Sequence, residues 1–385
     1  MRLLLVTHSY PRFVGDHAGA FILRLAQGLE ARGDDVRVLA PAEEGLAPDA
    51  DIGGVFVRRF RYAPRAWETL AYSGTMAEQV SRSWKGKVAM AALLASGAAA
   101  LRREVAAFSP DVVHAHWWFP AGLMAATAMT RAPIVTTMHG SDVRLARTKA
   151  LAAPLLRLVV RRSAAVTAVS GWLASEAGAM APGLDAWVEP MPVDTKLFVP
   201  AWAHEPARFA FVGRLNAQKG VMTLLRALAS SETGASLDVV GGGDREAADD
   251  LVAQLGLGHR VTFHGPLPQE AVVPIYQSAT ATIVPSENEG LGLVAVESML
   301  CETPVIAFRS GGITDIVIDG ETGVLTPAGD VAALAGAMDA MVRETNRAAA
   351  LGRAGRLAAV ARFSPESVTA RYRGIYERAV AHAAR

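Results

Sequence analysis

Short strand signals alternate with helix signals along this chain, stop at a proline-rich stretch, and then start again. In the first half, the apolar run Arg2–Thr7 is followed by helical spacing of Phe21, Leu25 and Leu29 within Ala18–Ala31, ending at Gly33. Val36–Ala40, Val55–Phe60, Val112–Ala115, Ile134–Met138 and Val166–Val169 read as further strands. The last three are apolar runs bounded by turn residues, as in a sheet covered on both faces. The second half repeats the pattern, with strands at Phe209–Val212, Leu237–Val240, Val261–His264, Ala281–Val284 and Val305–Phe308, and helices near Val221–Leu228 and Leu293–Leu300. Such alternation implies parallel sheets joined by right-handed crossovers. Pro190, Pro192, Pro200 and Pro206 break the periodicity, so Pro190–Pro206 is the expected joint. The expected architecture is α/β: two doubly wound domains, 1–195 and 205–364, facing each other across a cleft. Ligands should sit outside the C-terminal strand ends of each. A last helix at Pro365–Ala381, in the segment 365–385, could pack on either domain, the N-terminal one included.

Composition narrows the function. With 51% hydrophobic and 19% charged residues the chain can bury sizeable cores. A formal net charge of +1 argues against a dedicated nucleic-acid binder. The single cysteine, Cys301, permits neither an internal disulfide nor a cysteine-based metal site, and its apolar surroundings suggest an inert thiol. The N-terminal apolar run is too short for a signal peptide. The longest apolar stretch, Val88–Leu101, suits a buried helix rather than a membrane span. A cytoplasmic protein is expected, with the inner face of the cell membrane left open.

One segment carries the chemistry. Pro285-Ser286-Glu287-Asn288-Glu289-Gly290-Leu291-Gly292-Leu293 runs on to Glu297. Two glutamates flank a glycine-rich turn that opens a helix. The amides of Leu291, Gly292 and Leu293, with the helix dipole, would favour a phosphate. Read as continuous helix, the two glutamates lie about 12 Å apart at 1.5 Å per residue. A glycosidase pair needs about 5–9.5 Å. They therefore read as separate acceptors for two parts of one long ligand.

The stretch Pro285–Gly323, with Gly311-Gly312 and Asp319-Gly320-Glu321-Thr322-Gly323, resembles the signature of retaining glycosyltransferases of family 4. These have the GT-B fold, two Rossmann-like domains facing across a cleft. The resemblance implies that Glu289 binds hydroxyls of the donor sugar and Glu297 those of the nucleotide ribose, with Gly290, Leu291, Gly292 and Leu293 at the donor. Gly213-Arg214-Leu215-Asn216-Ala217-Gln218-Lys219-Gly220 resembles a second family motif. By that likeness Arg214 and Lys219 hold the donor diphosphate, where fixed cations stabilise the charge that grows on the leaving group.

In the N-terminal half, Asp111-Val112-Val113-His114-Ala115-His116-Trp117 and His139-Gly140-Ser141-Asp142 also resemble family motifs at strand ends. The likeness puts His139 near the reacting sugar, hydrogen-bonded to a hydroxyl. His114 and His116 read as structural histidines, because their spacing is not that of metal ligands. The first loop, Ser9–Gly19, should offer backbone amides to the donor phosphates. The family has adjacent glycines there; this chain has Gly15-Asp16-His17-Ala18-Gly19, and Gly19 is the favoured contact.

The implied activity is retaining transfer of a hexose-type sugar from a UDP- or GDP-sugar to an acceptor hydroxyl, with no metal and no cofactor. A polysaccharide or glycolipid pathway and a lipid-linked acceptor fit it. The alternatives are a nucleotide-sugar epimerase of the same shape and a non-catalytic nucleotide-sugar binding protein. Asp49-Ala50-Asp51 matches a metal-binding pattern of another transferase fold but reads as a loop coincidence. Gly241-Gly242-Gly243-Asp244 lacks the spacing of a dinucleotide fingerprint. The base should be read by backbone near His264–Leu267. Arg58, Arg59, Arg61 and Arg65, with Tyr62, Trp67, Lys85 and Lys87, form a basic-aromatic run that is either a solvated surface or a peripheral membrane contact.

Overall fold

The computed structural model describes residues 1–72, 76–149, 151–201 and 205–383. The chain divides into two compact units: Met1–Pro192 together with the segment from Pro365, and Val193–Ser364.

The first unit is built on strands β1 (Arg2–Val6), β2 (Asp35–Pro41), β3 (Asp49–Ile52), β4 (Val55–Phe60), β5 (Val112–His116), β6 (Ile134–Met138), β7 (Ala165–Ala168) and β8 (Ala186–Val188). Their order is β3-β4-β2-β1-β5-β6-β7-β8, parallel except for the β3–β4 pair. Every residue of β5 and β6 is buried, His114, His116, Thr136 and Thr137 included, as in a sheet covered on both faces. The helix Trp84–Phe108 lays Leu93, Leu101 and Phe108 onto Leu4, Val6 and Val113 of the sheet. The helix Pro365–Ala383 crosses to this unit and packs on the helix Ala20–Glu30 and on β5 and β6. Its Tyr376 hydroxyl bonds His114 Nδ1 at 2.8 Å, and its Tyr372 hydroxyl donates to the Glu189 carbonyl at 3.2 Å. The strand order reverses between β1 and β5, so the loops leaving these strands flank the place where a ligand enters such a sheet.

The second unit carries β9 (Arg208–Val212), β10 (Ser236–Val240), β11 (Val261–Gly265), β12 (Ala281–Val284), β13 (Val305–Phe308) and β14 (Gly323–Thr326). All neighbours are parallel, in the order β11-β10-β9-β12-β13-β14. Counted from β9 this is the doubly wound order 3-2-1-4-5-6, with its reversal between β9 and β12. Phe209, Phe211, Ile283, Ile306 and Phe308 form the buried centre with Leu224, Leu228, Leu334 and Met338 from the covering helices.

The structure corrects several expectations. Asp49-Ala50-Asp51 is not in a loop but opens β3, whose antiparallel pairing with β4 aligns Asp49 with Arg58. Its carboxylates serve the hairpin: Asp49 accepts from Arg58 at 2.9 Å and Asp51 from the Gly54 amide at 2.8 Å. The arginines in and after β4 do not form one solvated run. Arg58 also pairs with Glu104, Arg61 pairs with buried Glu68, and Arg59 is buried. Alternation along a strand sends neighbouring residues to opposite faces, so a contiguous run in sequence is split in space. The joint stretch is partly packed: Phe198 is buried against Tyr276, while residues 202–204 lie outside the described residues. Cys301 is fully buried, and burial pushes its thiol up to about 12, so it is inert as read. Among the described residues, no helix is long and apolar enough to cross a membrane.

Candidate active site

The second unit gathers most of the expected residues at the C-terminal ends of β9 and β12. After β9, Asn216 caps the short turn Ala217–Lys219 by accepting from the Lys219 amide at 3.0 Å. The chain then turns at Gly220, with φ 71°, into the helix Val221–Ser230. A Cβ at Gly220 would stand 2.0 Å from the Pro285 carbonyl oxygen, so only glycine lets the two loops touch. They are zipped further by the Glu287 amide, which donates to the Gln218 carbonyl at 2.9 Å. The result is a direct ion pair: Lys219 Nζ lies 2.5 Å from Glu289 Oε2, with the two side chains 25% and 15% exposed.

Glu289 is held from its other side by the loop after β13. Its carbonyl accepts from the Gly312 amide at 2.7 Å, and its backbone forms a parallel bridge with Gly311. Gly311 has φ 67°, and a Cβ there would be 2.5 Å from the Glu289 carbonyl oxygen. Gly290, Leu291 and Gly292 follow, and the helix Leu293–Leu300 begins with no side-chain cap at its N-terminus. Its first amides are thus directed out at the strand ends.

Glu297 sits differently from expectation. Only the second half of the Glu289–Glu297 spacing is helical, so the rise of a continuous helix does not measure their separation. Glu297 accepts from Gln269 at 3.0 Å and from the Tyr276 hydroxyl at 2.9 Å. Burial, reinforced by Glu297, holds the Tyr276 phenol well above its ordinary range, so it remains a donor. Arg214 is exposed in the loop after β9, and its guanidinium has no partner among the described residues. At the neighbouring edge, His264 is bound by Asp238 at 2.6 Å, which also accepts from Arg208 at 2.6 Å.

The first unit brings its own residues to the ends of β1, β5 and β6. His139 Nε2 and His116 Nδ1 are 3.2 Å apart. The Trp117 ring lies 4.4 Å from the His139 ring, and Phe21 lies 5.1 Å from it. Burial holds both histidines well below their ordinary range, and neighbouring imidazoles add to the effect, so they are neutral. His139 Nδ1 has no partner among the described residues. His114 is structural, as read: its Nε2 meets Thr137 at 2.7 Å and its Nδ1 meets Tyr376. Gly19 is the residue before the helix Ala20–Glu30, close to the Ser9 carbonyl. Among the described residues no cluster of histidine, cysteine and carboxylate groups could hold a metal ion.

One residue of this site carried no role in the sequence reading. Asp142 is buried, and its carboxylate accepts from four backbone amides: Trp118 at 2.9 Å, His139 at 3.1 Å, Gly140 at 2.9 Å and Val143 at 3.0 Å. It ties the loop after β5 to the loop after β6 and so fixes His116, Trp117 and His139 together. Its burial raises it above the usual carboxylate range while the amides pull the other way. The signal was present in His139-Gly140-Ser141-Asp142, where an aspartate four residues past a strand end, in the first turn of the next helix, can accept from the amides of the turn before it.

A family model described as glycosyl transferases group 1 matches residues 193–358, and one described as a glycosyl transferase 4-like domain matches residues 18–188. A D-inositol 3-phosphate glycosyltransferase of Acidothermus cellulolyticus is 32% identical, over 98% of this chain and 90% of the relative. The chain belongs to the group 1 glycosyltransferases. A glycogen synthase of Mycobacterium tuberculosis is 27% identical over 98% of this chain and 94% of its own. In fold, this glycosyltransferase matches the sucrose-phosphate synthase of Thermosynechococcus elongatus with a TM-score of 0.82 at 22% identity, covering 99% of this chain and all of the other. It also matches Anabaena HepE in complex with UDP and glucose, with a TM-score of 0.72 at 20% identity over 98% and 99% of the two chains. The two doubly wound units are those of a GT-B glycosyltransferase.

Proposed function

We propose that this glycosyltransferase moves a hexose-type sugar from a nucleoside-diphosphate sugar to an acceptor hydroxyl with retention at the anomeric carbon and without a metal ion. The observation that carries the reading is the Lys219–Glu289 pair, set at the strand reversal of the second unit beside an uncapped helix start. A cation, outward amides and a carboxylate at one strand end suit a diphosphate joined to a sugar. Likeness to HepE, whose complexes contain UDP and UDP-glucose, favours a uridine nucleotide over a guanosine one.

In this reading the bond from the anomeric carbon to the diphosphate oxygen breaks, and the acceptor oxygen bonds to the same face of that carbon. The acceptor proton passes to the departing phosphate oxygen. Arg214, Lys219 and the amides of Leu291, Gly292 and Leu293 carry the charge that grows on the leaving group. Glu289 and Gly290 hold the donor sugar, and Glu297 accepts from the ribose hydroxyls. Gly19 offers an amide to the phosphates, and neutral His139 bonds a sugar hydroxyl near the reacting carbon. The protein's share is positioning and electrostatics. The acceptor we favour is lipid-linked, in polysaccharide or glycolipid assembly at the inner face of the cell membrane, and the domains are taken as 1–195 and 205–364 with the helix from Pro365 on the first.

The test is a thermal-shift screen against uridine, guanosine and adenosine diphosphates and their sugars, followed by hydrolysis of the best donor without acceptor. Slow release of free sugar by the wild type, lost in Lys219→Ala, is expected. Binding of donors with no turnover under any condition overturns catalysis in favour of a binding protein.

A further inference from the structure

The basic-aromatic run resolves into a smaller surface than the sequence suggested. Arg58 and Arg59 are engaged elsewhere, and Arg61, though exposed, is paired with Glu68; Arg65, Lys85 and Lys87 of the run remain exposed, together with Arg82, Trp84 and Val88. Trp84 is 64% exposed and Val88 48%, although both are large apolar side chains. They occupy one face of the first turns of the helix Trp84–Phe108, four residues apart, and Ala91 continues that exposed stripe. Trp84 meets Trp67 edge to face, with ring centroids 5.8 Å apart, and the Lys85 ammonium lies 5.7 Å from the Trp67 ring. Beside them is an open cavity of about 620 Å³ whose floor includes Leu70 and Ala89 and whose rim includes Arg82, Lys85 and Gln79.

Charge decides the occupant. Residues 61–87 hold five cations (Arg61, Arg65, Arg82, Lys85, Lys87) and two carboxylates (Glu68, Glu78), a local balance of +3 in a chain whose total is +1. Glu68 is buried on Arg61, and Glu78 is 2.5 Å from Arg82. No other acid is exposed on the helix from Trp84 to Phe108, since Glu104 is buried against Arg58. Two tryptophans and an exposed valine ringed by lysine and arginine fit the boundary between headgroups and acyl chains of an anionic bilayer, where indoles sit at the interface and cations meet lipid phosphates. A second protein copy would bring the same positive charge to itself.

We propose that this face docks the enzyme on an anionic lipid bilayer, with Trp84 and Val88 entering the interface and Lys85, Lys87, Arg82 and Arg65 meeting lipid phosphates. The inference rests on the reading above only for the choice of membrane; the surface itself is independent of the transfer chemistry.

The experiment is flotation of the full chain with vesicles of phosphatidylcholine alone or with one-third phosphatidylglycerol, at low and high salt. Retention by the anionic vesicles at low salt, lost at high salt, is expected. Lys85→Glu/Lys87→Glu should weaken partition at least about 30-fold at low salt, given the contribution of each juxtamembrane cation. Trp84→Ser, which leaves the charge unchanged, should also weaken retention by the anionic vesicles at low salt. Both variants change exposed side chains away from the donor residues, so donor hydrolysis in solution should stay at the wild-type rate and report intact folding. No retention of wild type, equal retention by neutral vesicles, or retention unchanged in the charge-reversed variant would overturn the proposal. So would conversion of a wild-type dimer to monomer by Trp84→Ser without vesicle binding. Failure of hydrolysis with vesicle binding intact would instead count against the transferase reading.

Discussion

The ammonium of Lys219 lies 2.5 Å from the carboxylate of Glu289, bridging the loops that follow β9 and β12. A diphosphate drawn to Lys219 competes with that carboxylate for the same cation. The two substitutions should therefore act with opposite signs on binding. Lys219→Ala should weaken nucleoside diphosphate binding by about 10-fold or more, the scale of a hydrogen bond to a charged group. Glu289→Gln should bind the diphosphate as well as wild type or better, yet lose transfer by about 10- to 100-fold because the sugar contact is gone. Calorimetry with the free diphosphate, read beside turnover, separates the two. Weaker diphosphate binding in Glu289→Gln would remove the competition argument.

Glu297 depends on Tyr276, whose hydroxyl donates to it at 2.9 Å. Tyr276→Phe deletes one neutral donor and leaves the packing. Affinity for a nucleoside diphosphate should fall by about 1 kcal/mol, while affinity for inorganic pyrophosphate should not change. Equal losses for both ligands would mean that Glu297 does not serve the ribose.

Most of this site was legible in sequence because its parts are local. The turn from β9 to Lys219 and the glycine-rich entry to the helix at Leu293 are each a few consecutive residues, and β6, β12 and β13 begin and end where their apolar runs do. The misses are non-local or weakly patterned. β3 is charged at two of its four residues, and its pairing is held by Asp49 meeting Arg58 across the hairpin. β8 is a three-residue, largely exposed edge strand with no burial pattern to read. The pairing of Lys219 with Glu289 joins residues 70 apart, which no spacing rule within one segment can supply. Asp142 was quoted in a motif, but its role requires Trp118, 24 residues earlier, to come back against it.

Acid should weaken the first unit through His114. It is fully buried, and burial holds its imidazole down to about 3 against an ordinary value of 6.5. Between those values the unfolded chain binds a proton that the folded chain refuses. Stability is therefore whole above about pH 6.5 and falls as pH drops, by about 1.4 kcal/mol per pH unit for one such group. Thermal unfolding from pH 7 to 4 should show a falling midpoint. His114→Asn, with a lower starting stability, should show a shallower slope. An identical slope in the variant would assign the acid sensitivity to other groups.

Asp142 offers the clearest separation of a positioning role from a purely structural one. Its carboxylate accepts from amides on both sides of His139 and from Trp118. Asp142→Asn keeps the shape but turns one acceptor oxygen into a donor facing a backbone amide, which should cost about 1–3 kcal/mol of stability. If Asp142 acts through His139, donor hydrolysis should fall in Asp142→Asn and in His139→Ala, and the double variant should be no slower than His139→Ala alone. Donor affinity should be nearly unchanged by Asp142→Asn, since Asp142 contacts neither Gly19 nor the diphosphate residues of the second unit. Rates measured below each variant's melting point keep unfolding out of the comparison. Additive losses in the double variant would show that Asp142 does not work by holding His139.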